Sequence, residues 1–134
     1  DARLGSHRCQ LIMPELKNGI ACVLGQYMLE KMLSRTEMMR IVYGCGPVPH
    51  EDCLRMGLLH SVHSVDSVLP ETIALAAEWA SYPKVAFQVT KRKMNQDYID
   101  GLNAIVPEAQ QAHRATFRDR SAQKFMKNIL KKDL

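Results

Sequence analysis

The sequence predicts an α+β fold that is mostly helical, and three observations lead there. Short, partly alternating apolar runs occur only near the start of the chain and around residues 58–62. Most of the remainder carries apolar residues at helical spacing. Proline and glycine punctuate the boundaries between these stretches. With 134 residues, 46% hydrophobic and 24% charged, the chain is long enough for one domain with a core and has the balance of a folded protein rather than a disordered one.

Ala2-Arg3-Leu4 and Gln10-Leu11-Ile12-Met13 read as two short strands around a turn at Gly-Ser-His-Arg. Pro14 ends the second, and Asn18-Gly19 marks another turn. Apolar residues at 24, 28, 29, 32 and 33 give a helix from about Leu24 to Leu33. Ser34 or Thr36 caps the next helix, whose apolar members are Met38, Met39, Ile41 and Val42. Gly44, Gly46, Pro47 and Pro49 then break the chain. His50 or Glu51 opens a short helix that Gly57 stops. Leu58 to Val62 reads as a strand. Asp66 or Ser67 caps a helix over about Val68–Ala80, with Pro70 in its first turn and Ile73, Ala76, Ala77 and Ala80 as its packing stripe. Pro83 starts a helix to about Asn95, with Val85, Ala86 and Val89 facing inward. Another begins near Asp97 and is kinked or restarted at Pro107. A last helix covers roughly Ser121–Leu130. The count is about six helices and two or three strands.

Charge is unevenly spread. Residues 84–134 hold eleven Lys or Arg against five Asp or Glu, while residues 1–83 hold seven against nine. A basic C-terminal third suits an anionic partner, although a solvated helix face is the commoner cause. Its aromatics, Phe87, Tyr98, Phe117 and Phe125, are spaced like helix core rather than a base-stacking platform, and no nucleic-acid motif is present, so no nucleic-acid partner is expected. The longest apolar runs are a few residues, so no membrane partner is expected either.

The four cysteines, Cys9, Cys22, Cys45 and Cys53, form no close pair and read as free thiols in a reducing compartment. Cys45, His50, Cys53, His60 and His63 lie within nineteen residues, but their spacings do not fit a zinc site, and no metal is expected. The start, Asp-Ala-Arg-Leu-Gly-Ser, shows no signal or transit pattern. Beginning without Met, directly in patterned sequence, the chain reads as a piece of something longer.

Glu15 is the carboxylate of interest. It follows Leu11-Ile12-Met13-Pro14 at a strand end, leading into a glycine-containing loop. A carboxyl group partly withdrawn from water there favours its protonated form, as a general acid requires. On the pattern alone, a surface glutamate at a turn is the commoner explanation.

The order of motifs then carries a resemblance. Asp1-x-Arg3 precedes Pro14-Glu15-Leu16-Lys17-x-Gly19-Ile20. Tyr43-Gly44 follows, then Glu51-Asp52-Cys53-Leu54-Arg55-Met56-Gly57-Leu58-Leu59, Val62 and Asp66. Leu75-Ala76-x-x-Trp79-Ala80-x-x-Pro83 and Thr90-Lys91-x-x-x-Asn95 complete the run. Over residues 1–95 it resembles the C-terminal half of the crotonase superfamily, the enoyl-CoA hydratase/isomerase family. Residues 96–134 fit by length and helical character.

The resemblance implies the C-terminal part of a crotonase-like ββα spiral. Residues 1–66 would be the edge of its core, and 67–134 its helical, trimer-forming region. It implies that Glu15 is catalytic. Hydratases pair this glutamate with a second one to add water to a 2-enoyl-CoA; isomerases can shuttle a proton with one. The oxyanion-hole N–H groups, and the hydratase's other glutamate, come from sequence before the match to Asp1, so this chain alone is expected to be inactive. Leu24 and Gly25 stand where the family has a glycine-rich loop beside the substrate. Lys127 or Lys131 would stand in for a lysine that reaches a neighbouring subunit's CoA, although the matching position is Asn128. The substrate would be a CoA thioester with no cofactor, the assembly a homo-oligomer (trimer or hexamer), and the location the cytoplasm or an organelle matrix. Alternatives are an isomerase fragment and a non-catalytic helical oligomerisation module derived from the same fold.

Overall fold

The computed structural model describes residues 1–130. Two compact units interleave in sequence: Asp1–Leu11 with Val48–Asp100, and Ile12–Pro47 with Gly101–Leu134.

In the first unit, β1 (Leu4–Ser6) pairs in parallel with β4 (Ser61–His63), Leu4 opposite Ser61 and Ser6 opposite His63. Strand β2 (Gln10–Leu11) pairs antiparallel with β3 (Val48–Pro49). Strands form near the expected places, but β1 starts at Leu4 and takes in Gly5 and Ser6, which the sequence assigned to the turn, and β1 and β2 do not pair with each other. Gly5 explains part of this: a Cβ there would stand 2.7 Å from Cys9 Sγ and 2.9 Å from Leu59 Cδ1, so β1 is drawn tightly against the segment leading into β4. Arg3 fastens the same junction. Its Nε donates to the Leu58 carbonyl at 2.6 Å and its backbone N–H to His60 Nδ1 at 2.9 Å.

Helix α3 (His50–Arg55) ends before Gly57, which adopts φ +77°. The N–H groups of Leu58 and Leu59 both turn back to the Cys53 carbonyl. That capture excludes Leu58 and Leu59 from a strand, which is why β4 begins only at Ser61 rather than at Leu58. Helix α4 (Val68–Ala80) follows, with Ser67 as N-cap. Cys53 and Leu58 are the buried apolar side chains of this unit.

Helix α5 (Lys84–Arg118) is continuous, with Pro107 inside it. The expected break near Asn95 does not occur. Asn95 instead donates from Nδ2 to the Lys91 carbonyl, one turn back, and stays on the helix. Proline removes only one ladder bond, and the turns on either side carry the helix through. The stripes expected on α4 and on the start of α5 are not buried: Ile73 is 60% exposed, Val85 75% and Val89 63%, and Ala76, Ala77, Ala80 and Ala86 are exposed too. The apolar spacing is real, but no described residue covers these faces.

In the second unit, a 3-10 turn (Leu16–Asn18) ends at Gly19, whose φ is +71°. Helices α1 (Val23–Glu30) and α2 (Arg35–Gly44) pack together. Ser34 is the N-cap of α2: its Oγ accepts from the Glu37 N–H and donates to the Glu37 carboxylate at 2.9 Å, a reciprocal capping arrangement. The core gathers Tyr27, Leu29, Met38, Ile41, Val42 and Ala109, with Ala122 of α6 (Ser121–Leu130). Gly101 lets α5 approach Tyr27, because a Cβ there would fall 2.0 Å from the Tyr27 Oη. Helix α6 packs on the 3-10 turn.

Candidate functional site

Pro14 and the 3-10 turn fix the backbone of Glu15. The Glu15 carbonyl accepts from Asn18 N–H at 3.0 Å and from Ile20 N–H at 2.8 Å, so the chain folds back over this residue. Left-handed Gly19 makes that return possible. It brings Cys22, the residue before α1, into the neighbourhood of Glu15. Burial pushes the Cys22 thiol above its ordinary pKa, and the Glu15 charge pushes it the same way.

The other notable atom is Glu15 Oε2, which is buried and has no hydrogen-bond partner. Buried polar atoms are almost always paired, and leaving one open costs on the order of 1–3 kcal/mol, more for a charged group. An open, water-shielded carboxyl oxygen can take a proton or accept a bond from an incoming group.

The other residues named from sequence lie as follows. Leu24 and Gly25 are in the first turn of α1, not in a loop. The space beside Gly25 is filled from within the unit, since a Cβ there would stand 2.1 Å from Met13 Cε and 2.8 Å from Cys22 Sγ. Lys127 is exposed on α6. Lys131 lies outside the described residues. Sequence reasoning missed two members of this neighbourhood. Cys22 was read only as a free thiol; its signal was its place just beyond the Asn18-Gly19 turn. His113 of α5 meets the Ala21 carbonyl through Nε2 at 3.0 Å, and nothing in the local pattern marked it.

The residues weighed for zinc are engaged locally. Cys45 donates to the Val42 carbonyl, Cys53 to the Val48 carbonyl, and His63 Nε2 shares a 2.7 Å bond with Ser61 Oγ. Among the described residues no group of three or more His, Cys, Asp or Glu is arranged to hold a metal ion. The four cysteines are free thiols. No helix among the described residues is long and apolar enough to cross a membrane. In the first unit, Asp1, Gln88, Lys91 and Arg92 help line an open groove of about 630 Å³, across which Lys91 pairs with Asp1.

Comparison with known proteins places this geometry in a family. The family model described as enoyl-CoA hydratase/isomerase matches residues 1–133. Carboxymethylproline synthase of Pectobacterium carotovorum subsp. carotovorum is 34% identical over 132 residues, which are 98% of this chain and 53% of that protein. The structure of ThnE from S. clavuligerus matches at 38% identity with a TM-score of 0.81, over 84% of this chain and 54% of that one. An enoyl-CoA hydratase/isomerase from Pseudoalteromonas atlantica T6c shares the fold at TM-score 0.90 and 14% identity, over 98% of this chain and 54% of that one. The chain thus spans about half the length of the relatives it matches. Its mostly helical α+β architecture is that of crotonase-fold structures, and the chain belongs to the enoyl-CoA hydratase/isomerase family.

Proposed function

We propose that Glu15 is the proton-handling carboxyl group of an enzyme acting on an acyl-CoA. The observation that carries this is the buried, unbonded Oε2 at the end of a turn that fixes its backbone. In this reading the chain corresponds to the C-terminal half of the family fold. The N–H groups that stabilise the thioester oxygen of an enolate-like intermediate come from a preceding segment. Lys127 of α6 or Lys131, which lies outside the described residues, would meet CoA phosphates within a homo-oligomer.

Three reactions use such an intermediate. In hydration of a 2-enoyl-CoA, water adds at C3, and the α-carbon takes a proton to complete the product, with Glu15 as general acid/base beside a second glutamate. A single carboxyl group could instead serve isomerisation, moving a proton between carbons. A second reading is carbon–carbon bond formation, in which Glu15 takes a proton from the α-carbon, the enolate-like carbon attacks an unsaturated electrophile, and the displaced π electrons of that electrophile take up a proton. It is supported by the 34% identity to a protein named carboxymethylproline synthase, against 14% to 23% for the hydratase, dehydratase and isomerase structures that share the fold. That difference gives the second reading the greater weight.

The test is an assay of the complete protein. Loss of the enoyl chromophore on incubation with a 2-enoyl-CoA supports hydration. Appearance of carboxymethylproline by mass supports bond formation. In whichever reaction runs, Glu15→Gln is expected to lower kcat by about 100-fold or more while KM changes little. Near-normal turnover in that variant removes Glu15 from the chemistry. The 134-residue chain alone is expected to be inactive, and robust turnover by it would show that no preceding segment is needed. A discrete oligomer of the complete protein that binds no CoA, by light scattering and titration, would favour the non-catalytic module.

A further inference from the structure

We propose that His113 is a positioning residue for Glu15: it clamps helix α5 to the return of the chain that fixes the Glu15 backbone. The proposal rests on the reading of Glu15 above and adds a second residue to it.

The clamp is built from hydrogen bonds within the second unit. Glu15 is held through its carbonyl, which accepts from the N–H groups of Asn18 and Ile20. Ile20 is therefore the far arm of the return, and Ala21 is the next residue along it. The Ala21 carbonyl meets Nε2 of His113 at 3.0 Å, across 92 positions of sequence. A carbonyl only accepts, so Nε2 carries the proton. That fixes the neutral ring as the Nε2–H tautomer, and the charged ring would donate the same bond.

Two further observations support the role. His113 is half-buried on the inward face of α5, where Gly101, Ile105 and Ala109 precede it at four-residue intervals and Ala109 is 2% exposed. Gly101 lets the same face close onto Tyr27 of α1. Helix α5 thus meets the segment that follows Glu15 at both Ala21 and Tyr27, through residues about 18 Å apart along its axis. An imidazole among such apolar neighbours needs a partner for its N–H, and the Ala21 carbonyl is that partner.

Without a donor at residue 113, the Ala21 carbonyl loses its partner and residues 19–22 gain freedom. The Ile20 N–H, bonded to Glu15, moves with them. No bond reaches Glu15 Oε2, so the place of that oxygen depends on the backbone behind it. A misplacement of about 1 Å at a reacting group can cost about 100-fold in rate.

The experiment is steady-state kinetics of the complete protein, with the acyl-CoA thioester it turns over. His113→Phe keeps a ring without a donor, and is expected to lower kcat between about tenfold and 100-fold with KM within about twofold. His113→Gln puts an amide N–H near the position of Nε2, and is expected to recover to within about threefold of the parent with an unchanged pH profile of kcat. A fully active His113→Phe, or a His113→Gln as slow as His113→Phe, overturns the proposal. So does a pH limb that vanishes in His113→Gln, which would make the imidazole itself the proton carrier. Glu15→Gln is run in parallel, and full activity there defeats the underlying reading rather than the clamp.

Two readouts need no turnover. In His113→Phe the Ile20 N–H is expected to exchange with solvent at least about tenfold faster, while the Met38 N–H, bonded to the Ser34 carbonyl, keeps its parent rate. Equal acceleration at both amides is a general loss of stability and overturns the proposal, as does no acceleration at Ile20. Where His113→Phe fails to fold, the parent still decides: ring ¹⁵N resonances of the neutral imidazole are expected to show the proton on Nε2. A bare Nε2 would mean that no bond to Ala21 exists, and the clamp would be refuted.

Discussion

Gly101 shows how much can rest on a missing side chain. A Cβ at this position would lie 2.0 Å from the Tyr27 Oη and 2.9 Å from its Cζ, and Tyr27 is a buried core residue. Either the ring or helix α5 must shift to admit a methyl group. In an open helix, Gly→Ala stabilises by about 1 kcal/mol; here overpacking, typically about 1–3 kcal/mol, opposes that gain. Gly101→Ala is therefore expected to lower stability in urea unfolding, and Gly101→Ala with Tyr27→Phe to recover part of the loss. Glu15 lies at the opposite end of legibility. Its motif and its place before a turn were readable in the chain, because proline and Asn-Gly leave local signatures. The open Oε2 and its thiol neighbour were not, because both depend on how the backbone returns after Gly19.

Among the elements, the helices were readable wherever a cap or a stop is written in one residue. Ser34 is such a residue. Its hydroxyl accepts from the Glu37 N–H at the head of α2, and the Glu37 carboxylate accepts a hydrogen bond from the hydroxyl in return. Ser34→Ala is expected to cost about 1 kcal/mol, measured as a lower urea midpoint at unchanged slope, and Ser34→Asp to cost less. Gly57 stops α3 by the same local logic. Strand pairing was less legible. β1 pairs with β4 across more than fifty residues, and short strands carry too little pattern to name a distant partner. The length of α5 was missed for a different reason. Proline weakens a helix interior without forbidding it, and the decision belongs to the turns around it.

For the molecule as a whole, the buried thiols make stability depend on pH. Burial pushes both Cys22 and Cys53 above the ordinary thiol value, so the folded chain holds these protons more tightly than the unfolded chain does. Their contribution is complete below the ordinary thiol range, about pH 8.5, and is lost as pH rises through the raised folded values. The thermal midpoint is expected to fall over that alkaline range, and less steeply in Cys22→Ser with Cys53→Ser. An equally steep fall in the double variant would assign the alkaline loss to other groups. Composition and helical spacing made the α+β class legible at this scale. What could not be read was which apolar faces remain uncovered, because periodicity marks a face as suited to burial without naming what buries it. Leu69, Ile73, Val85, Val89 and Met94 of α4 and α5 are each 60% or more exposed. Exposed apolar side chains in such number tie the chain's behaviour to the salt around it. Sulfate and other strongly hydrated ions are excluded from that surface and work against the dissolved chain, whereas dilute urea wets it and works in its favour.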